Sequence, residues 1–326
     1  MNVRILREAG GIGDILCTLP VARAVKEKWP GAKVYYFGLK DYREVQEHCR
    51  DVDVLVPVEC QGRRERDTTP DPKLHPYLAA PGLPTFDMTI DLWCPAARYE
   101  REKSDRLNRS RIESFCAEAG LAAGTALTPS DYVPHYVVRD EERAWARSWL
   151  GTDVKRPIIG LAPFCTNNIR RDWPLPRWIE LAKALESQGM TVLIFHTWFS
   201  AAADVPGRKV IGVPIWQLGA LVAECDAIVT PDSGLFHLSA AVGVPAVGLF
   251  GSTHADQIAK HYPLHKTIWP KDALREHKCT PPCMMFEWLG CDNQCRTQGC
   301  EILQKITVEE VLKAVEIPRS TSRFGC

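Results

Sequence analysis

The sequence predicts an α/β protein of two domains in tandem, each a parallel sheet with helices on both faces, and three observations lead there. Short apolar runs alternate with stretches of helical periodicity. The runs are nearly continuous in apolar residues, as in NVRIL (2–6), PIIGLAP (157–163) and VPAVGLF (244–250), which suits strands buried on both faces. The pattern halts in the proline-framed segment 127–157 and then restarts.

In order, 2–6 reads as a strand, 14–29 (DILCTLPVARAVKEKW) as an amphipathic helix and 32–37 (AKVYYF) as the next strand, a β-α-β unit. A helix over 41–50, strands at 52–56 and 86–92, and a helix over 106–120 closed by Gly120 complete the first domain. A helix at about 140–150 precedes the junction, so the domains are expected at 1–150 and 151–326. The second half repeats the order: strand 157–163, helix 176–189, strand 190–196, helix 215–225, strand 226–230, helix 233–242 and strand 244–250. A cysteine-rich segment and a C-terminal helix follow. Two such domains would hold a ligand at the carboxyl ends of their strands.

The 40 basic and 40 acidic residues cancel, which removes the electrostatic argument for nucleic acid or bulk anionic membrane as a partner. The opening stretch MNVRILREAGGIGDILCTLP breaks its apolar run with Arg7, Glu8 and glycines, unlike a signal peptide. With no apolar window long enough to span a bilayer, a cytoplasmic protein is expected. Thirteen cysteines then imply ordinary thiols, and eight are scattered, Cys17, Cys49, Cys116 and Cys225 among them.

Three motifs bear on function. In EAGGIGDILCTLP (8–20) the glycine spacing departs from G-x-G-x-x-G and Gly38-Leu39, not an acidic residue, ends the next strand, so a nicotinamide cofactor is disfavoured. Asp14 is read two ways: as a cap for the following helix, or as a general base. In NNIRRDWPLPRW (167–178), Arg170 and Arg171 follow a strand, where they are either phosphate ligands or a solvated pair. In VTPDSGLFHLSAAVGVPAVGLFGST (229–253), Asp232, Ser233 and Gly234 form a strand-to-helix turn suited to an anion, with His237 one turn on as a structural residue or a catalyst.

Together these motifs resemble the family 9 glycosyltransferases, the ADP-heptose heptosyltransferases. The resemblance rests on G-D-x-x-x-T-L-P at 13–20, on R-x-W-P at 171–174, where the family usually has Lys, and on D-S-G-x-x-H-x-x-A-A-x-G-x-P-x-x-x-L-F-G-x-T at 232–253. FDMTIDL (86–92) is similar to the family's Y-D-x-x-I-D-L strand. The resemblance implies a GT-B fold, two Rossmann-like domains with parallel sheets facing a cleft, the acceptor on the first and the nucleotide-sugar donor on the second. It implies Asp14 as the base and Gly13, Thr166, Arg170, Arg171, Asp232, Ser233, Gly234 and His237 as donor-binding residues. It also implies inverting transfer from ADP-heptose to a glycan or protein hydroxyl. With no DxD motif near the donor segment, leaving-group stabilisation is expected without a catalytic metal or other cofactor. The rival readings are a nucleotide-sugar epimerase of similar architecture and an inactive member that binds nucleotide sugar.

The segment HKCTPPCMMFEWLGCDNQCRTQGCEIL spaces its cysteines C-x3-C-x7-C-x3-C-x4-C. It is read as a structural Zn or Fe site or as buried thiols, with disulfides disfavoured in the cytoplasm. Cysteines here are a further point of resemblance to the family, some of whose protein heptosyltransferases use such a cluster for iron; Cys279, Cys283, Cys291 and Cys300 are the preferred ligands, with Cys295 spare. Arg98, Arg101, Lys103, Arg106, Arg109 and Arg111 form a basic stretch, read as a solvated face or as a path for an anionic acceptor with peripheral contact to the inner membrane.

Overall fold

The computed structural model describes residues 1–8, 10–59, 81–92, 109–165, 169–196, 203–276 and 299–315. It comprises two compact units, Met1–Val137 and Val138–Cys326.

In the first unit β1 (Asn2–Arg7), β2 (Lys33–Leu39), β3 (Val54–Val58) and β4 (Met88–Asp91) form a parallel sheet in the order β3-β2-β1-β4. The expected helix 14–29 arrives as two, Ile12–Leu16 and Leu19–Lys28. Pro20 explains the break: it has no N–H to give to the Leu16 carbonyl, so it sits in the first turn of a new helix. The helix expected over 41–50 shrinks to Arg43–Glu47 behind a 3-10 turn at Lys40–Tyr42.

The helix expected over 106–120 runs Arg111–Ala123. Ser110 caps its start, its hydroxyl accepting the Glu113 N–H at 3.1 Å while the Glu113 carboxylate accepts the Ser110 N–H at 2.7 Å. Its end is set by Gly124, left-handed at φ 62°, and not by Gly120. Gly120 lies inside the helix, where a Cβ would come 3.0 Å from the Thr125 carbonyl.

The second unit takes in the helix Asp140–Leu150, so the division falls at 137/138 and not at 150/151. That helix packs on Ile215–Ala223 of the second unit, Trp145 against Trp216 with ring centroids 5.0 Å apart, and Arg147 meets the buried Glu224 at 3.1 Å. Six parallel strands follow in the order β10-β9-β8-β5-β6-β7: β5 (Ile158–Leu161), β6 (Thr191–His196), β7 (Arg208–Ile211), β8 (Ala227–Pro231), β9 (Ala246–Leu249) and β10 (His265–Ile268). Counted from β5, this is the doubly wound order 3-2-1-4-5-6 read from the β7 edge. In each sheet the winding reverses beside the first strand, between β1 and β4 in one unit and between β5 and β8 in the other. Ligands of such sheets bind outside the carboxyl ends at that reversal.

The core of the second unit centres on Trp173 and Trp178, both fully buried and edge-to-face at 5.1 Å. The Trp173 indole N–H donates to the Ile306 carbonyl at 3.0 Å. In the R-x-W-P motif the tryptophan is therefore an anchor, and Pro174 opens the helix Leu175–Ser187 behind it. Cys49, Cys116 and Cys225 are buried, and burial pushes their thiols up, to about 11 and about 12 for the first two. No helix of the described residues is long and apolar enough to cross a membrane.

His265 of β10 titrates low, at about 4, chiefly because burial penalises its charged form. Its Nε2 lies 2.9 Å from the Phe236 carbonyl, which fits a neutral ring donating there. The unfolded chain therefore binds the proton first, and stability present above pH about 6.5 falls as pH drops toward 4, by about 3 kcal/mol from this residue. His135 and His254 are shifted down by burial too and act in the same direction. Urea unfolding across that range is expected to show the loss, and His265→Gln to flatten it.

Candidate functional site

Each unit brings candidate residues together at its reversal point. In the first, β1 ends at Arg7 and the helix Ile12–Leu16 begins almost at once, with Gly13 and Asp14 in its first turn. Asp14 is not the N-cap residue, which is Gly11; it stands third in the helix, and its Oδ2 accepts the Gly11 N–H at 3.1 Å, the reaching-back half of a capping box. Its Oδ1 lies among cations: Arg111 Nη1 donates to it, and Arg7 Nη2 is 3.9 Å away.

The two arginines differ. The Arg7 side chain is 5% exposed, donates from Nη1 to the Leu92 carbonyl at 2.8 Å and lies over the Phe115 ring at 5.2 Å. The Arg111 side chain is 36% exposed. Arg7 thus ties the carboxyl end of β1 to that of β4, and its charge helps offset the cost of placing a carboxylate in a half-buried loop.

Gly10 makes this approach possible. Its φ is +97°, and a Cβ there would fall 2.6 Å from Asp14 Cβ and 2.8 Å from Arg7 Nη2. Gly10→Ala is expected to cost roughly 1–3 kcal/mol from the backbone alone and to separate Arg7 from Asp14; thermal unfolding and a structure of the variant check both.

In the second unit the 3-10 turn Ile169–Arg171 follows β5, and Asp232 follows β8. Arg171 Nη1 donates to the Asp232 carbonyl at 3.0 Å and lies 3.6 Å from its carboxylate Oδ2. His237 Nε2 is 3.8 Å from the other oxygen, and its Nδ1 is 2.7 Å from the Tyr262 hydroxyl. Asp232 is 5% exposed and His237 7%. Ser233 caps the helix Gly234–Val242, accepting the Leu235 N–H at 3.2 Å and pairing with the Thr230 hydroxyl at 2.7 Å. A cation, Arg171, and a helix start thus meet at one turn, a combination suited to a phosphate.

Cys165, which lies in no motif, joins this cluster together with Asp172 and Arg170. Cys165 Sγ donates to the Asp232 carbonyl at 3.6 Å, and its N–H is held by Asp172 at 2.8 Å. Burial raises both the Cys165 thiol and the Asp172 carboxyl; the Arg171 charge opposes the first shift and the Cys165 N–H the second. Arg170 is half-buried in the same turn.

Gly13 falls beside Asp14 in the first unit. Thr166, Cys279, Cys283, Cys291 and Cys295 lie outside the described residues, as do Arg98, Arg101, Lys103 and Arg106. Cys300 is buried in the second core; its Sγ lies where a Cβ on Gly251 would meet it at 2.7 Å. Among the described residues no group of three or more His, Cys, Asp or Glu side chains is placed to hold a metal ion.

Comparison with known proteins agrees with the fold. Lipopolysaccharide heptosyltransferase 2 of Escherichia coli (strain K12) is 30% identical over 139 residues, and the match spans 38% of this chain and only 39% of that relative. The structure of E. coli ADP-heptose lps heptosyltransferase II superposes with a TM-score of 0.70 at 20% identity, covering 97% of each chain. The iron-containing dodecameric glycosyltransferase TibC from enterotoxigenic E. coli H10407 gives 0.60 at 14% identity, covering 96% of this chain and 74% of TibC. These two structures establish the shared GT-B fold, with its two parallel sheets. The family model described as glycosyltransferase family 9 (heptosyltransferase) matches residues 99–281, more than half of the chain. This chain belongs to glycosyltransferase family 9, the heptosyltransferase family.

Proposed function

We propose that the chain is an inverting glycosyltransferase that moves a heptose from ADP-heptose to a hydroxyl of a bacterial surface glycan or protein. The observation that supports this most is the meeting of Arg171 with the start of the helix Gly234–Val242 at Asp232. It offers a cation and a helix dipole to a departing diphosphate. The family membership and the relatives' names direct the donor choice to ADP-heptose.

In this reading Asp14 accepts the proton of the acceptor hydroxyl as that oxygen bonds to the anomeric carbon. The bond from that carbon to the β-phosphate oxygen breaks, its electron pair leaves on ADP, and Arg171 stabilises the charge. Gly13, Thr166, Arg170, Asp232, Ser233, Gly234 and His237 complete the donor side, and no catalytic metal takes part. The chemistry belongs to the cytoplasm, with peripheral contact at the inner membrane for a glycolipid acceptor. The test is ADP release from ADP-heptose with surface-glycan acceptors, followed by NMR of the new linkage. Acceptor-dependent release with an inverted anomeric centre is expected; a retained configuration, or an altered donor sugar without acceptor, contradicts it.

The cysteine run enters the same proposal as a structural Zn or Fe site on Cys279, Cys283, Cys291 and Cys300. In that site Cys300, buried among apolar groups, would be a thiolate whose charge the metal ion compensates while fixing the loop. Metal analysis of the purified protein is expected to find bound Zn or Fe that is lost in Cys283→Ala, together with a fall in melting temperature. Metal-free protein of unchanged stability contradicts it.

A further inference from the structure

We infer that Arg111 is a removable cap on the Asp14 carboxylate, displaced when an anionic group of the acceptor takes its guanidinium. The inference rests on the reading of Asp14 as the base. A carboxylate that accepts hydrogen bonds in its ionised form is a weaker proton acceptor than a bare one. Asp14 receives Arg111 on Oδ1 and the Gly11 N–H on Oδ2, with Arg7 close to Oδ1. As held, both of its oxygens face hydrogen-bond donors.

Of the two guanidiniums, Arg111 is the more accessible. Arg7 is enclosed and committed to the Leu92 carbonyl, whereas Arg111 reaches solvent. Arg111 also occupies the first position of the helix Arg111–Ala123, where the helix dipole disfavours a cation. Capping there is done by the reciprocal Ser110–Glu113 pair, and a guanidinium, which has no acceptor, cannot take part in it. Its position conflicts with local preference, and such conflicts mark functional sites.

Only an anion can compete with a carboxylate for a guanidinium, and a phosphate or second carboxylate does so with paired hydrogen bonds. The exchange conserves charge pairing: Arg111 trades one anion for another, and Asp14 keeps Arg7 while regaining basicity on Oδ1. An acceptor carrying an anionic group near its reactive hydroxyl would thus uncover the base only when seated, which disfavours transfer to water.

The test follows the Asp14 carboxyl by carbon NMR through a pH titration of the full chain, with inorganic phosphate as the probe. Arg111→Gln is expected to raise the proton affinity of Asp14 about tenfold or more, the effect of removing one adjacent cation. Phosphate is expected to raise it in the wild type but not in Arg111→Gln, with Arg111→Lys responding weakly. A wild-type titration indifferent to phosphate, or an equal shift in wild type and Arg111→Gln, overturns the cap. The transferase reading is judged separately by ADP binding, so failure of one is not mistaken for failure of the other.

Discussion

Asp14→Asn is expected to reduce sugar transfer by roughly a hundredfold or more while leaving donor affinity nearly intact. That factor corresponds to about 2.7 kcal/mol of barrier. The substitution is not structurally silent. Asp14 accepts from Arg111 with one oxygen and from the Gly11 N–H with the other, and an amide cannot accept at both positions. If the amide oxygen keeps Arg111, its NH2 faces the Gly11 N–H, and Arg7 is left buried with a neutral neighbour. A stability loss of roughly 1–3 kcal/mol accompanies the activity loss. Transfer rates measured well below the melting transition, beside thermal unfolding and donor binding for the same variant, separate the two effects. Transfer equal to wild type removes Asp14 from the mechanism.

Arg171→Ala is expected to weaken nucleotide binding about 10- to 100-fold, the loss of one or two charge-assisted hydrogen bonds to phosphate. The environment sharpens the effect. Asp232 is nearly enclosed, and Arg171 Nη1 lies 3.6 Å from its carboxylate. Truncating the arginine leaves that carboxylate facing an incoming diphosphate, with His237 Nε2 at 3.8 Å from it. Arg171→Lys, which installs the residue usual in the family, keeps the charge with a single head group and is expected to recover most of the affinity. Titration of ADP into the three proteins measures this directly; equal affinity in all three places the phosphate elsewhere.

Much of the fold was legible because buried parallel strands announce themselves as apolar runs, and β1, β5, β8 and β9 all did. The strands β7 (RKVI) and β10 (HKTI) did not. They are the edges of the second sheet, half-exposed and carrying Arg208, Lys209, His265 and Lys266, so they lack the continuous apolar signature. Gly120 misled because a glycine at a helix end and one needed for close backbone packing look alike in sequence, and only the φ of Gly124 tells them apart.

The candidate site was legible where its contacts are local. The Asp232-Ser233-Gly234 turn with Arg171 came from short motifs, and Asp14 from a glycine loop. What was hidden is long-range: Arg111 reaches Asp14 from 97 positions away and Tyr262 reaches His237 from 25 away. A faint signal existed for Arg7, a cation at the carboxyl end of the first strand beside a glycine loop, and for Arg111, a cation at a helix start. Neither states its partner without the fold.

The most direct test of the account is calorimetric binding of ADP, UDP, GDP and ADP-heptose to the purified chain and to its Arg171→Ala variant. Selective binding of ADP and ADP-heptose, weakened by the substitution, is the predicted result. Preference for UDP or GDP would contradict the heptosyl donor, and binding of no nucleotide at all would contradict the enzyme.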